Sequence, residues 1–450
     1  MTLAASFAHA DPIDELLKER LPELRLPGVS LAVVRDGRVL KSAAYGFADL
    51  EMKTAATPDT IFEIGSLTKQ FTAAALLLLS DEGLVSLDDS VIEHFPDAPE
   101  SWRAITLRHL LTHTSGIQNH VAVPEFMNEL FGGRIAREEL PGRFFALPLE
   151  FQPGETWSYD NTGYYLLGLV IERVAGTDFW SFLDERIFKP LEMRDTGPND
   201  PTGSIPNMAK GYGLANNNYA RRPFLPPFVA LSAGAIRSTV GDLAKWEAAL
   251  VEGTLLGSQT QAAMWTATRG ADGGPLPVPY GFGWIVESWR GEPVVQHSGG
   301  TPGFSSTIYR FPRRGIAVIL LANHGDRILD TLALDIAGLV EPALQRPIDA
   351  QDPDATRSGR LCGVLESLLK GSPRSADLTP AMNRFLGTTT GKSWFEWIAS
   401  HGEPGRFEFS EFYETPDGRV SRYRVALDGK PYWFSFLCTP DGRIAQVNPW

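Results

Sequence analysis

Cysteine is almost missing from this chain: Cys362 and Cys438 are the only two in 450 residues, both near the C-terminus. They lack C-x-x-C spacing and have no metal-type partners nearby, which removes the usual cysteine-based redox and metal motifs. An oxidising compartment would allow them to pair, two free thiols are the other reading, and neither is a nucleophile candidate. Positive charge is also short, with 41 Lys and Arg against 54 Asp and Glu and a formal charge of −13. No Lys/Arg run relieves that deficit, so nucleic acid is not an expected partner. No apolar run approaches the roughly 20 residues of a membrane span; the densest, Ala73–Leu79, is far shorter. Ala8-His9-Ala10 has the form of a signal cleavage site, but a charged n-region and a full apolar h-region are missing. The expected location is periplasmic or secreted if those residues are the remnant of a signal, and cytoplasmic otherwise.

What remains is ordinary globular material, 43% hydrophobic and 21% charged, long enough for one large domain and a smaller one. Residues 29–48 read as a β-hairpin around Asp36-Gly37. Helices are expected from Ser66 to about Asp81, near 107–113, over 161–176, and from a capping box at Thr239-x-x-Asp242 to about Val251. Strand patterns resume at Gly281–Val286, Val294–Gln296, Ser305–Phe311 and Gly315–Asn323. Strands at both ends with helices between them predict an α/β (α+β) sandwich whose sheet joins the two ends. The division is 1–345 for the large domain, 346–358 for a linker and 359–450 for a small α+β domain. In that last part, helices precede four strands split by Asp417-Gly418, Asp428-Gly429 and Asp441-Gly442, an antiparallel meander. Its aromatics (Trp394, Trp397, Tyr413, Tyr432, Trp433, Trp450) are expected to form its own core, with a cover over a cleft or a homodimer contact as alternatives.

Ser66-Leu67-Thr68-Lys69 places a hydroxyl and an amine at i, i+3, on one face of a helix. Serine becomes a nucleophile when a base lies within reach, and a lysine serves if its pKa is lowered. Alone the motif is weak, because Ser367 and Lys370 repeat it. Two further motifs strengthen it. Tyr159-Asp160-Asn161 is the only Tyr-x-Asn among eleven tyrosines, and His297-Ser298-Gly299 is the only His-x-Gly among eight histidines. There is no G-x-S-x-G nucleophile elbow. His109 and His113 have the i, i+4 spacing of a zinc helix, but Leu110 stands where the general-base Glu would be, and no third ligand is evident. No metal and no cofactor are expected.

With the segments Phe62–Lys69, Leu107–Gly116, Pro153–Tyr159 and Tyr280–Trp284, these three motifs resemble the serine β-lactamase and penicillin-binding-protein superfamily over about residues 12–345. Class C β-lactamases, family VIII carboxylesterases and D-amino-acid-specific peptidases are the nearest groups. The resemblance implies a DD-peptidase-type fold, an antiparallel sheet flanked by helices with an all-helical lobe. It implies Ser66 as acyl acceptor, Lys69 and Tyr159 sharing its proton, and Asn161 orienting Lys69. The N–H groups of Ser66 and Gly300, next to Gly299, would form the oxyanion hole. Gln118 and Asp160 would line the cleft, although a solvated position is equally open to Gln118 and is favoured for Asp160. The resemblance also places His297 among the catalytic residues; it stands where many relatives carry the lysine of Lys-Thr-Gly, so a permanent cation for a substrate carboxylate is absent. A small ester or short peptide is therefore the expected substrate. A true β-lactamase and a non-hydrolysing peptidoglycan-binding sensor are the alternatives.

Overall fold

The computed structural model describes residues 11–131, 135–202, 204–325, 329–346, 350–402 and 404–449. The Ala8-His9-Ala10 motif, part of the 346–358 stretch and Trp450 lie outside the described residues. The hairpin forms as β1 (Gly28–Arg35) and β2 (Arg38–Asp49). Asp36 and Gly37 both take positive φ, 49° and 75°, as a turn matched to strand twist requires. After β3 (Thr54–Ala55) the sheet resumes with β4 (Ile285–Trp289), β5 (Glu292–Thr301), β6 (Phe304–Phe311) and β7 (Ile316–Ala322). The order is β3-β2-β1-β7-β6-β5-β4, every pair antiparallel. β1 therefore pairs with β7, joining the N- and C-terminal parts of the large domain as expected.

β1 and β7 are buried on both faces, which explains their nearly unbroken apolar sequences. Val29, Leu31 and Val33 face α1 (Pro12–Leu24) and, later in the chain, α5 (Asp330–Val340). Ala32 and Val34 face the other layer, which contains α2 (Thr68–Asp81), α3 (Asn161–Ala175) and α4 (Val240–Glu252). α2 has only Leu78, Ser80 and Asp81 less than fully buried, so it runs through the middle of the helical lobe. The fold is α+β, a helix–sheet–helix sandwich.

Three local expectations shift. Residues 281–284 form a bend rather than the start of a strand: Gly281 N bonds Trp284 O and Phe282 N bonds Met264 O, which turns the segment toward the helical lobe. The capping box at Thr239 is half made, because the Asp242 carboxylate accepts from Asp195 N and Thr196 Oγ1 instead of reaching back. The third shift lies in the linker. Helix α6 (Ala355–Leu369) begins inside it, capped by Asp354.

Two further helices, α7 (Pro380–Phe385) and α8 (Thr389–Ala399), precede the meander of β8 (Pro404–Thr415), β9 (Gly418–Leu427), β10 (Lys430–Cys438) and β11 (Ile444–Pro449). This C-terminal unit does not keep a core to itself. Phe385, Phe434 and Phe436 share one buried cluster with Trp157, Val278 and Tyr280 of the large domain. Cys362 and Cys438 are free thiols, and burial pushes both upward in pKa.

Candidate active site

Ser66 occupies a 3-10 turn, Gly65–Leu67, that runs directly into α2. The tighter turn keeps the hydroxyl at the helix entrance and the Lys69 amine one turn below it. Lys69 is fully buried, and its Nζ has three oxygen partners: Asn161 Oδ1 at 2.8 Å, Ala233 O at 2.7 Å and Ser66 Oγ at 3.3 Å. It also lies 4.7 Å from the centre of the Tyr159 ring. Burial holds the amine well below the usual lysine range, opposed by the Asp160 carboxylate. An amine so placed gives up its proton far more easily than one in water, which is what a general base for serine needs.

The second Ser-x-x-Lys shows what the spacing means without such surroundings. Ser367 Oγ bonds back to Val364 O, and Lys370 is exposed and reaches only toward Glu366 at 4.0 Å.

Tyr159 is held between rings. His113 lies tilted against it at 4.4 Å between centroids, Trp157 at 6.2 Å and His297 at 6.2 Å. Burial raises its phenol well above the usual tyrosine range, with the neighbouring Ser66 hydroxyl working the other way. Its oxygen is buried with no hydrogen-bond partner at normal length. An unpaired buried hydroxyl costs about 1–3 kcal/mol, so its retention beside Ser66 fits a donor waiting for a substrate atom. Burial thus favours the protonated phenol of Tyr159 and the neutral amine of Lys69.

Asn161 is the first residue of α3, and its Nδ2 donates to Asn119 Oδ1 at 3.3 Å, fixing which face of the amide meets Lys69. Asp160 corrects an expectation. It is 2% exposed and caps α3, with Oδ1 accepting from Thr162 N at 2.7 Å and Oδ2 from Gly163 N at 3.0 Å. It therefore neither meets solvent nor lines the cleft, and burial raises its carboxyl to about 7. Gln118 contributes its main-chain oxygen, accepting from Thr162 Oγ1, while the next residue, Asn119, does the polar work.

His297 is also corrected. It is 4% exposed, with Nδ1 2.6 Å from Ser298 O and Nε2 2.8 Å from the Tyr280 hydroxyl. The carbonyl can only accept, so Nδ1 carries the proton and Nε2 accepts from Tyr280. Burial and the nearby Lys69 lower its pKa to about 3. Neutral and with both nitrogens occupied, it is a positioning residue rather than one that touches substrate. His109 and His113 each hold a neighbouring backbone N–H. His109 Nδ1 accepts from Thr106 N and His113 Nδ1 from Asp160 N, and among the described residues no group of three or more metal-ligating side chains occurs.

The backbones of the Ser66 turn and of β5 approach closely. A Cβ on Gly65 would lie 2.6 Å from Gly300 N, and one on Gly299 would lie 3.0 Å from Ser66 N and 2.1 Å from Ile64 O. Glycine at both places lets β5 press against the Ser66 turn, in the neighbourhood of the Ser66 and Gly300 nitrogens. Gly300 itself faces open space.

Several contributors carry no side-chain signature of their role. Ala233 offers only its carbonyl, presented by a segment in which Leu231 takes φ 39° and ψ −120°, a conformation L residues rarely adopt. From the C-terminal unit, Thr390 Oγ1 lies 3.0 Å from Ser158 Oγ and donates to Tyr159 O at 3.4 Å. Thr389 N donates to Glu150 Oε1 at 2.9 Å, and Ser158 Oγ donates to Glu150 Oε2 at 3.1 Å. α8 is thus clamped to the Tyr159 segment through Glu150. Glu150→Ala should destabilise the protein by about 1.5–3 kcal/mol, the range for hydrogen bonds to a charged group, and lower kcat. Urea denaturation with steady-state rates checks this, and an unchanged midpoint and rate would count against the clamp.

Comparison with known proteins follows the same lines. A protein-family model described as Beta-lactamase matches residues 13–353. Penicillin-binding protein 4* of Bacillus subtilis is 28% identical over 330 residues, 69% of this chain and 71% of that protein. Protein flp of Staphylococcus aureus is 30% identical over 321 residues, covering 69% of this chain and 62% of its own length. Among solved structures, a D-stereospecific amidohydrolase from Streptomyces sp. superposes with TM-score 0.61 at 28% identity, over 73% of this chain and 98% of that one. The octameric penicillin-binding protein homologue from Pyrococcus abyssi matches with TM-score 0.64 at 23% identity, over 95% of this chain and 96% of that one. The fold match thus extends through the C-terminal unit.

Proposed function

Because the chain belongs to the beta-lactamase family of serine hydrolases, we propose that it cleaves small esters or short peptide-type amides through an acyl-enzyme on Ser66. The observation that carries this reading is the buried Lys69 amine, set between Ser66 Oγ, Asn161 and Ala233 O. Ser66 Oγ attacks the substrate carbonyl carbon and its proton passes to Lys69 Nζ. The developing oxyanion is taken by the N–H groups of Ser66 and Gly300. Tyr159, still protonated, hands its proton to the leaving oxygen or nitrogen and is refilled from Lys69. Water then attacks the acyl carbonyl along the same path, releasing the acid and restoring Ser66.

The substrate class rests on His297. A neutral imidazole turned toward Tyr280 offers no cation to the carboxylate that a β-lactam carries. The similarity to a D-stereospecific amidohydrolase supports amides with a D-residue beside esters.

A steady-state panel of p-nitrophenyl esters, D-aminoacyl amides and nitrocefin tests this. Loss of one charge-assisted contact is worth about 1.5–3 kcal/mol, so nitrocefin should trail the best ester or amide by on the order of 10–100-fold in kcat/KM. Nitrocefin leading the panel would overturn the substrate assignment. One equivalent of product without turnover on every substrate would favour a sensor or scaffold over a hydrolase.

A further inference from the structure

Beyond the pairing of Gln296 with Ile285, the first residue of β4, β5 runs on past β4, and a cavity of about 330 Å³ lies against it. One wall is aromatic, Trp394 and Trp397 of α8. The opposite wall is polar: Glu287, Gln296 and Ser298 on β4 and β5, and Asp330 at the start of α5. Ser298 lies on β5 between His297 and Gly299, so the cavity reaches the strand two residues before Gly300. None of the catalytic groups lines it.

The polar wall consists largely of acceptors. Gln296 is only 8% exposed, and its Nε2 donates to Glu287 Oε1 at 3.1 Å. That bond fixes the amide, since the reverse orientation would set oxygen against carboxylate. Its Oε1 is left buried with no partner, and Asn448 Oδ1, also on the cavity wall, is in the same state. Asp330 accepts from Thr307 Oγ1 at 2.9 Å and lies within reach of the Tyr309 hydroxyl. The cation whose charge acts on Glu287 is Arg422, which is paired with Glu411 at 2.6 Å and packed over the rings of Trp289 and Tyr413. Burial, with Asp330 facing it, raises the Glu287 carboxyl to about 7. Burial likewise raises Asp330. Two carboxylates and two unpaired amide oxygens around an aromatic-walled space make a receptor for positive charge, because a cation satisfies all of them at once.

We propose that this cavity binds an organic cation, a protonated amine or guanidinium on an apolar stem. The head sits among Glu287, Gln296 Oε1 and Asp330, and the stem lies on Trp394 and Trp397. The assignment goes beyond the hydrolase reading and needs no turnover.

Isothermal titration of the full chain with phenethylamine, 2-phenylethanol and 3-phenylpropionate tests it, since the three share a stem and differ in charge. The amine should bind about tenfold or more tightly than either of the others. Glu287→Gln and Asp330→Asn should each remove most of that preference, while Glu287→Gln leaves hydrolysis of a neutral ester unchanged. Equal binding of the three, no binding of any, or a preference for the carboxylate overturns the proposal on the wild-type protein alone. A preference that survives both substitutions in folded variants overturns the site.

Discussion

Ser66→Ala and Lys69→Met should each lower kcat on the best substrate by on the order of 10⁴-fold, and the double variant should lose little more than either alone. The reason is that the two side chains form one device. Serine without a base is a poor nucleophile, and a buried amine without the serine has no proton to take. Lys69 Nζ lies 3.3 Å from Ser66 Oγ, and burial favours the protonated phenol of Tyr159, so Lys69 is the base in the proposed mechanism. Steady-state rates on the two single variants and the double one decide this. Losses that multiply in the double variant would mean that the residues act independently and that Lys69 is not the base.

The same device sets the pH profile. The base form of Lys69 is the deprotonated one, so kcat/KM should rise with pH as the amine loses its proton. Burial lowers that step, so the acid limb should lie well below the ordinary lysine value of about 10.4. His297 adds no limb near neutrality, because its ring is already neutral there. A rise centred at the ordinary lysine value would remove Lys69 from the role assigned to it.

These groups differ in how visible they are from sequence. Ser66, Lys69, Tyr159 and Asn161 could be chosen because their chemistry resides in side chains at recognisable spacing. The hairpin around Asp36-Gly37 and the meander split by Asp-Gly pairs were equally legible, since turn residues encode backbone angles directly. Ala233 could not be found, because its contribution is a carbonyl set by the conformation of Leu231. Asp160 carries a readable signal of its own. An Asp directly before an apolar-periodic stretch is a helix cap, and the structure uses it so. The position of His297 was legible while its orientation was not, since that depends on Tyr280, seventeen residues earlier, reaching its Nε2. The C-terminal aromatics misled for a related reason: a period-two strand shows that a face is buried, but not whose side chains cover it. Here Trp157 and Tyr280, two of the residues around Tyr159 and His297, complete that core.

The oxyanion hole offers the most discriminating test of the backbone geometry. Gly299→Ala should lower kcat by about 10²–10³, the effect of losing one oxyanion donor, whereas Gly300→Ala should cost less than about tenfold. The two glycines are adjacent, yet their surroundings differ completely. A Cβ on Gly299 would meet Ile64 O at 2.1 Å, Ser306 Oγ at 2.5 Å and Ser66 N at 3.0 Å. Ser306 Oγ itself bonds Ile64 O at 2.7 Å, so it has little freedom to retreat. The clash can be relieved only by moving β5 away from the Ser66 turn, and that motion separates the Gly300 and Ser66 N–H groups. A Cβ on Gly300 has nothing within 4 Å, so the strand stays in place. The loss in Gly299→Ala should fall on kcat more than on KM, because the oxyanion forms only as the transition state is approached. Rates and melting curves for both variants check the argument. Equal losses in the two, or an active Gly299→Ala protein of unchanged stability, would show that the close approach of β5 is not what builds the hole.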